Sequence, residues 1–136
     1  MKEKTIKVGV GVLLFDSEKR LLLGKRKSEH GGGTWCPPGG HVEYGESFED
    51  AAVRETKEEV NIDLDASKLQ VVGVTNDFFK ESGKHYVTVM LRTTDFCGEP
   101  IVKEPDKCYE WKWFSPNELP DNLFLSVENF LNKYHL

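Results

Sequence analysis

The sequence is poor in the features that mark whole classes of protein. It has only three cysteines, Cys36, Cys97 and Cys108, odd in number and without metal-ligand spacing, which excludes a disulfide framework and a zinc site and fits a reducing cytoplasm. Its histidines His30, His85 and His135 show no HxH or HxxxH spacing, so no imidazole metal site is expected among them. There is no basic excess. Lys and Arg number 18 against 23 Asp and Glu, for a net charge of -5, which argues against a stable nucleic-acid complex or docking on an anionic membrane, both of which need clustered cations. A small polyanion drawn to one local basic or metal-filled site stays open. Repeats, low-complexity tracts and linker-like segments are absent, and 136 residues suit one domain over 1–136. The opening MKEKTIKVGVGVLLF has charge before an apolar run, but the run is short, β-branched and followed by Asp16-Ser17-Glu18-Lys19-Arg20, so it reads as a first strand rather than a leader.

What is present reads as alternating structure. Val/Leu-rich runs at 5–15 and 20–27 around a polar turn predict a hairpin belonging to a mixed sheet. The segment 28–40, SEHGGGTWCPPGG, holds five glycines and two prolines, a composition that excludes helix and interior strand and reads as a loop. Ser47 with Asp50 three residues on, followed by a run free of Gly and Pro, predicts a helix over 47–60. Strand-like stretches follow at 68–80, 84–96 and 109–114, the first two joined by a turn at Glu81-Ser82-Gly83. Ser115 to Leu119 suggests a short helical turn. Leu123, Val127, Phe130, Leu131 and Tyr134 stand at amphipathic-helix spacing. The order ββ–α–βββ–α makes an α/β fold, an α/β/α sandwich with a mixed central sheet.

The chemistry concentrates in the first helix. Glu55, Glu58 and Glu59 lie three and four apart and share a face, while Phe48, Ala52, Val53, Thr56 and Val60 form the inward arc, with Glu59 falling between Phe48 and Ala52. Like charges so placed repel unless a cation sits among them, and oxygen-only ligands suit Mg²⁺ or Mn²⁺ rather than Zn²⁺. Spacing alone also fits an acidic, solvated helix face.

The longer string from Gly40 to Ile62, GHVEYGESFEDAAVRETKEEVNI, resembles the Nudix box. Gly40, Glu46, Arg54, Glu55, Glu58, Glu59 and Ile62 stand at its required spacings, after Pro38-Gly39. Thr56 takes its apolar place and Asn61 its final glycine; Asn is the residue after Gly best able to close a helix in the left-handed conformation. The late Trp111-Lys112-Trp113-Phe114-Ser115 before Glu118-Leu119 is similar to the family as well, and the stretch from Gly24 to Ser47 resembles MutT-like nucleoside triphosphate pyrophosphatases.

The resemblance implies a Nudix fold and a Mg²⁺-dependent hydrolase, with Mn²⁺ as a substitute, that splits the diphosphate linkage of a nucleoside triphosphate to leave a monophosphate and pyrophosphate. Its implied metal ligands are Glu55, Glu58 and Glu59, with the Gly39 or Gly40 carbonyl and Glu104. The implied catalytic residues are Glu55 and Glu58, with Glu104 a third candidate base, and Arg54 orienting the carboxylates; Glu46 supports the loop. Substrate contacts are expected from Arg26, with Lys25 and Lys27 beside it, and from His41 and Thr88. Stacking planes are expected from Trp35, Phe78 or Phe79, and Trp111 or Trp113, the preferred set being Arg26, Trp35, His41, Phe78 and Trp113. Each aromatic equally suits core or rim packing. Nothing marks Cys36 as a nucleophile. Dihydroneopterin triphosphate, nucleotide sugars, dinucleoside polyphosphates and RNA 5′ ends are rival substrates, a non-catalytic nucleotide-sensing module is the rival from another class, and a homodimer stays open.

Overall fold

A computed structural model describes residues 4–136; residues 1–3 of the expected domain lie outside the described residues. Strand β1, Ile6–Leu14, is the spine. It runs parallel to β7, Lys84–Thr93, along its whole length and antiparallel to the short β4, Gly39–His41. Strand β6, Gln70–Phe79, adds antiparallel to β7, so the mixed sheet has the order β4-β1-β7-β6. A second, antiparallel sheet has the order β3-β2-β9, from Trp35–Cys36, Leu21–Arg26 and Cys108–Phe114. Asp63–Leu64 (β5) and Phe96–Cys97 (β8) pair as a small ribbon, with one 3-10 turn at Ala66–Lys68.

Two helices cover opposite faces, which makes the expected sandwich. Alternation along the strands divides the core. Val10, Val12 and Leu14 of β1, Leu22, Val89 and Leu91 pack with Ala51, Ala52 and Val60 of helix α1, Phe48–Val60. Leu13, Phe15, Leu21, Leu23 and Met90 pack with Val127 and Phe130 of helix α2, Leu125–Lys133. Because β1 is apolar toward both layers, it reads as an unbroken Val/Leu run, as a strand buried on both faces does. Phe130, 1% exposed, contributes about 2–3 kcal/mol of transfer free energy.

Three expectations need correction. The 5–15 and 20–27 runs do not form a hairpin ladder: only Phe15 and Leu21 bridge. Both edges of β1 are taken by β7 and β4, so after the turn, where the Asp16 carboxylate accepts the Glu18 and Arg20 N–H groups at 3.0 and 2.8 Å, the chain enters the other sheet. The glycine-rich segment does contain strands, β3 and β4. Glycine is what admits β4, since a Cβ at Gly39 would collide with the Val10 carbonyl. Phe48 is 40% exposed rather than inward; it is the first helical residue, and Ala51 takes the buried place beside Ala52.

Both ends of α1 follow from its sequence. The Ser47 hydroxyl accepts the Asp50 N–H at 3.0 Å, and Asn61 closes the helix at φ 63°, ψ 34° with its N–H on the Lys57 carbonyl, the left-handed stop that its residue type permits. Ser115 to Leu119 is a single turn closed by Glu118 N–H to Ser115 O at 2.9 Å.

Candidate active site

A cavity of about 490 Å³ opens between the two sheets, floored by β1 and β7 and walled by the start of α2. Glu55, Glu58, Glu59 and Glu104 line one part of it, with Gly39, Gly40 and His41 beside them. Helix spacing delivers the first three, and the β4 glycines let the backbone approach: a Cβ on Gly40 would meet the Glu55 carboxyl at 2.5 to 2.7 Å.

Arg54 organises this acidic wall. Its Nε and Nη2 donate to the two carboxylate oxygens of Glu46 at 2.8 and 2.9 Å, Nη1 donates to Glu55 at 2.8 Å, and Nη2 also reaches the His41 carbonyl at 3.0 Å. The planar fork fits two carboxylates and a carbonyl where a lysine ammonium would satisfy fewer. Hydrogen bonds from Arg54, then from the Glu43 backbone to the same carboxyl group, hold Glu46 down at about 2, and these contacts raise Arg54 above its already high value. Glu46 thus ties the loop before α1 to the helix.

Glu59 is the opposite case. Its carboxylate accepts the Gly39 N–H at 3.4 Å, and burial first, then the charge of Glu55, pushes its acid well above the ordinary carboxylate range. A partly buried carboxylate beside others of like charge is relieved by a hard divalent ion with oxygen preference. The donor set therefore fits Mg²⁺ or Mn²⁺, with Glu55, Glu58, Glu59 and Glu104 as the side chains and the Gly40 backbone adjacent. As the side chains stand, with Arg54 holding Glu55, no three acidic, His or Cys groups among the described residues are gathered into a closed cage.

The rest of the cavity is built from aromatic and polar groups. Arg26 lines it, with its guanidinium over the Phe124 ring at 4.5 Å and its Nε donating to the His30 carbonyl at 3.0 Å. His30, Phe79, Tyr86 and Phe124 cluster with ring centroids 4.3 to 5.9 Å apart. Burial, reinforced by Arg26, lowers the His30 pKa, which keeps that ring neutral. Trp111 also lines the cavity and lies over Gly24, where no side chain fits; its buried indole N–H has no hydrogen-bond partner among the described residues. Burial pushes the Cys36 thiol up to about 12, so it is protonated at neutral pH.

Of the residues singled out from the sequence, Arg26, Gly40, His41, Glu55, Glu58, Glu59, Thr88 and Glu104 line this cavity, while Arg54 stands behind its acidic wall. Three aromatic choices are corrected. Trp35 packs edge-on against Phe114 at 5.0 Å in the α2-side core. Phe78 points to the opposite face of β6 from the cavity and is 60% exposed, so its neighbour Phe79 lines the cavity in its place. Trp113, two residues beyond Trp111 on the same face, stacks on Phe96 at 5.8 Å, away from the opening. Asp77, Tyr86, Lys107, Phe124 and Ser126 also line the cavity, and sequence reasoning missed them. A signal existed for Asp77, a lone acid inside an apolar strand run; for Phe124 and Ser126 none did.

The sequence matches the NUDIX domain family over residues 5–134. The chain belongs to the Nudix family, and it is a Nudix hydrolase. Among solved structures it is similar to a MutT Nudix hydrolase from Burkholderia pseudomallei, 32% identical with a TM-score of 0.88 over 96% of this chain and 98% of that one. It is also similar to a MutT structure from work on Aliivibrio salmonicida and Vibrio cholerae, 28% identical with a TM-score of 0.72 over 95% of each chain. Among curated relatives it is 32% identical to an ADP-ribose pyrophosphatase from Methanocaldococcus jannaschii over 82% of this chain and 63% of that protein. It is 28% identical to an RNA pyrophosphohydrolase from Novosphingobium aromaticivorans over 82% of this chain and 79% of the relative. The Nudix box of this hydrolase is thus the loop and helix that present Glu55, Glu58 and Glu59 to the cavity. Among the described residues no helix is long and apolar enough to cross a membrane.

Proposed function

We propose that this Nudix hydrolase cleaves the diphosphate linkage of a nucleoside triphosphate or related small nucleotide, with Mg²⁺ or Mn²⁺ as cofactor, releasing a monophosphate and pyrophosphate. One observation carries the reading: a single cavity joins four carboxylates suited to a hard cation to a cluster of rings suited to a planar base. The volume, about 490 Å³, is in the range of small-molecule sites. The likeness to MutT structures at 32% and 28% identity supports a triphosphate.

Glu55, Glu58, Glu59 and Glu104, with the Gly40 backbone, would hold the divalent ion. When bound, that ion neutralises phosphate charge and makes water a stronger nucleophile at neutral pH. The chain supplies the rest. Arg54 fixes the Glu55 carboxylate and the loop through Glu46, so the acidic wall is oriented before substrate arrives. Arg26 at the cavity rim offers a planar fork to phosphate oxygens, and Lys107, whose ammonium lies 3.4 Å from Glu104, is a second cation beside the same wall. Glu55, Glu58 and Glu104, all lining the cavity, are the candidate general bases, with Glu55 and Glu58 ahead of Glu104. His41, which lines the cavity with its ring nitrogen 3.2 Å from the Tyr86 hydroxyl, is a candidate contact for the substrate.

The test is turnover of a panel of canonical and oxidised nucleoside triphosphates, dihydroneopterin triphosphate, nucleotide sugars and dinucleoside polyphosphates with Mg²⁺, with Glu59→Gln as control. Conversion of a triphosphate to monophosphate and pyrophosphate, lost in the variant, is the expected result. Turnover of nucleotide sugars alone would replace the triphosphate reading, and equal turnover by Glu59→Gln would remove the carboxylate wall from the reaction.

A further inference from the structure

Helix α1 covers only part of the sheet face beneath it. Residues level with one another in neighbouring strands point to the same face, so the register sorts the side chains of β1, β7 and β6 into rows. Val10, Val12, Val89 and Leu91 hold the α1-side core, and Val74 and Val71 carry their rows on to β6. Toward the start of β1 two more rows follow on the same face: Val8 lies level with Val87 and Asn76, and Ile6 with His85 and Phe78. In these outer places Ile6, Val8, Val71, Val74 and Phe78 belong to neither core cluster and are 38 to 61% exposed. The four rows contain no Lys, Arg, Asp or Glu, although such residues make up 30% of the chain. Depletion of charge, more than hydrophobicity itself, is the compositional mark of an interface core.

We propose that two copies of this chain pack against each other through this face about a two-fold axis, with Ile6, Val8, Val74 and Phe78 at the centre. With roughly 150–250 Å² for a large apolar side chain, the exposures leave on the order of 450 Å² of apolar surface in water. A standard interface covers about 800 Å² per partner, about 60% of it apolar, so the face supplies nearly the whole apolar share of a stable dimer. An extended peptide is excluded as the occupant of the β6 edge, because side chains of α2 and its end close it. The Tyr134 hydroxyl lies 3.3 Å from both the N and the O of Val74, and the Asn129 amide donates to the Asn76 carbonyl at 3.0 Å, which removes the backbone groups that an added strand would use. A sheet face instead meets another sheet face about 10 Å away. Under a two-fold axis the patch is its own complement, and two chains of net charge -5 meet there without a like charge at the contact. A partner recognised by charge finds nothing on these rows to pair with. On their other faces β6 and β7 carry Phe79 and Tyr86 into the cavity, so the second copy backs the strands that hold the cavity's rings.

Sedimentation equilibrium of the full chain over about 1–100 μM tests this without any substrate or metal. Wild type is expected at twice the mass of one chain. Phe78→Asp and, separately, Ile6→Asp place a carboxylate on different strands of the face, and the two-fold axis places it twice in each dimer. Each is expected to raise the dimer dissociation constant about a hundredfold or more and to keep a cooperative thermal melt, since both positions are open to water in the single chain. Tyr109→Asp, at an exposed ring of β9 outside the face, is expected to leave the dimer intact. A wild-type monomer at every concentration would overturn the proposal and leave the face to a different protein. A dimer that survives both face variants places the interface elsewhere and refutes it, as does equal dissociation by Tyr109→Asp. Assembly growing beyond two copies would show a head-to-tail contact in place of the two-fold one, which also refutes it. Should one face variant fail to fold, the other carries the test, and the wild-type mass is decisive against the proposal by itself.

Discussion

Replacing Gly24 with alanine tests how tightly the second sheet is built under the cavity. Gly24 sits in β2 opposite Trp111 of β9, and a Cβ there would meet three atoms of the indole ring at 2.7, 2.7 and 2.9 Å. Ordinary contact begins at 3.4 Å, so the ring or the strand must recede by about 0.7 Å, and overpacking of this kind costs about 1–3 kcal/mol. The backbone at Gly24 is not among the positive-φ positions, so alanine also gains about 0.4–1 kcal/mol by restricting the unfolded chain. The net expectation is a loss of about 1–2 kcal/mol. With a urea dependence of about 2 kcal/mol per molar, the unfolding midpoint falls by roughly 0.5–1 M. Turnover should fall too, because Trp111 lines the cavity. In a Trp111→Val background the same substitution loses its obstacle and should become neutral or stabilising, so the double-mutant cycle isolates the contact. If Gly24→Ala raises the midpoint in the wild-type background, the backbone gain has won and the close packing argued here is wrong.

Other expectations follow from the helix and its carboxylates. Asn61→Ala places a β-carbon at φ 63° and should cost about 1 kcal/mol, with Asn61→Gly at least neutral; equal melting temperatures for all three would exclude a conformational role for Asn61. Glu46 is depressed to about 2 from an ordinary 4.5, so its contribution is complete above pH 4.5 and is lost as pH falls toward 2; Glu46→Gln should flatten acid unfolding in that window, and an unchanged acid limb would argue against the Arg54 clamp. Glu59 is raised, so the folded metal-free protein binds more protons than the unfolded chain above pH 4.5 and its stability falls as pH rises through that interval. Glu59→Gln should remove that slope and Mg²⁺ should oppose it, both read by thermal melts across pH; a slope that survives in the variant belongs to another group. Arg54→Lys keeps the charge but loses the fork, and should lower kcat/KM with a loss of about 1 kcal/mol in stability, whereas wild-type kinetics would show that the fork does not orient the wall.

Much of this protein was legible from local sequence because the signals are local. Ser47 and Asn61 bound the helix through contacts within a few residues, and i, i+3, i+4 spacing sends Glu55, Glu58 and Glu59 toward one side wherever the helix lies. The two-layer core follows from apolar alternation and from a β1 that is apolar on both faces. Tertiary structure decided what depends on partners distant in sequence. Whether β1 and β2 pair was settled by competition for the edges of β1, which β7 and β4 win. Which aromatic ring reaches the cavity turned on the phase of each strand and its neighbours: one step along β6 exchanges Phe79 for Phe78, and packing on Phe96 draws Trp113 away while Trp111 stays over Gly24. Asp77 could be named from the sequence only as an anomaly. Its setting comes from Thr88 on the neighbouring strand and Asn129 on a helix more than fifty residues away, because the donors that meet a buried carboxylate are chosen by the fold and not by its neighbours in sequence.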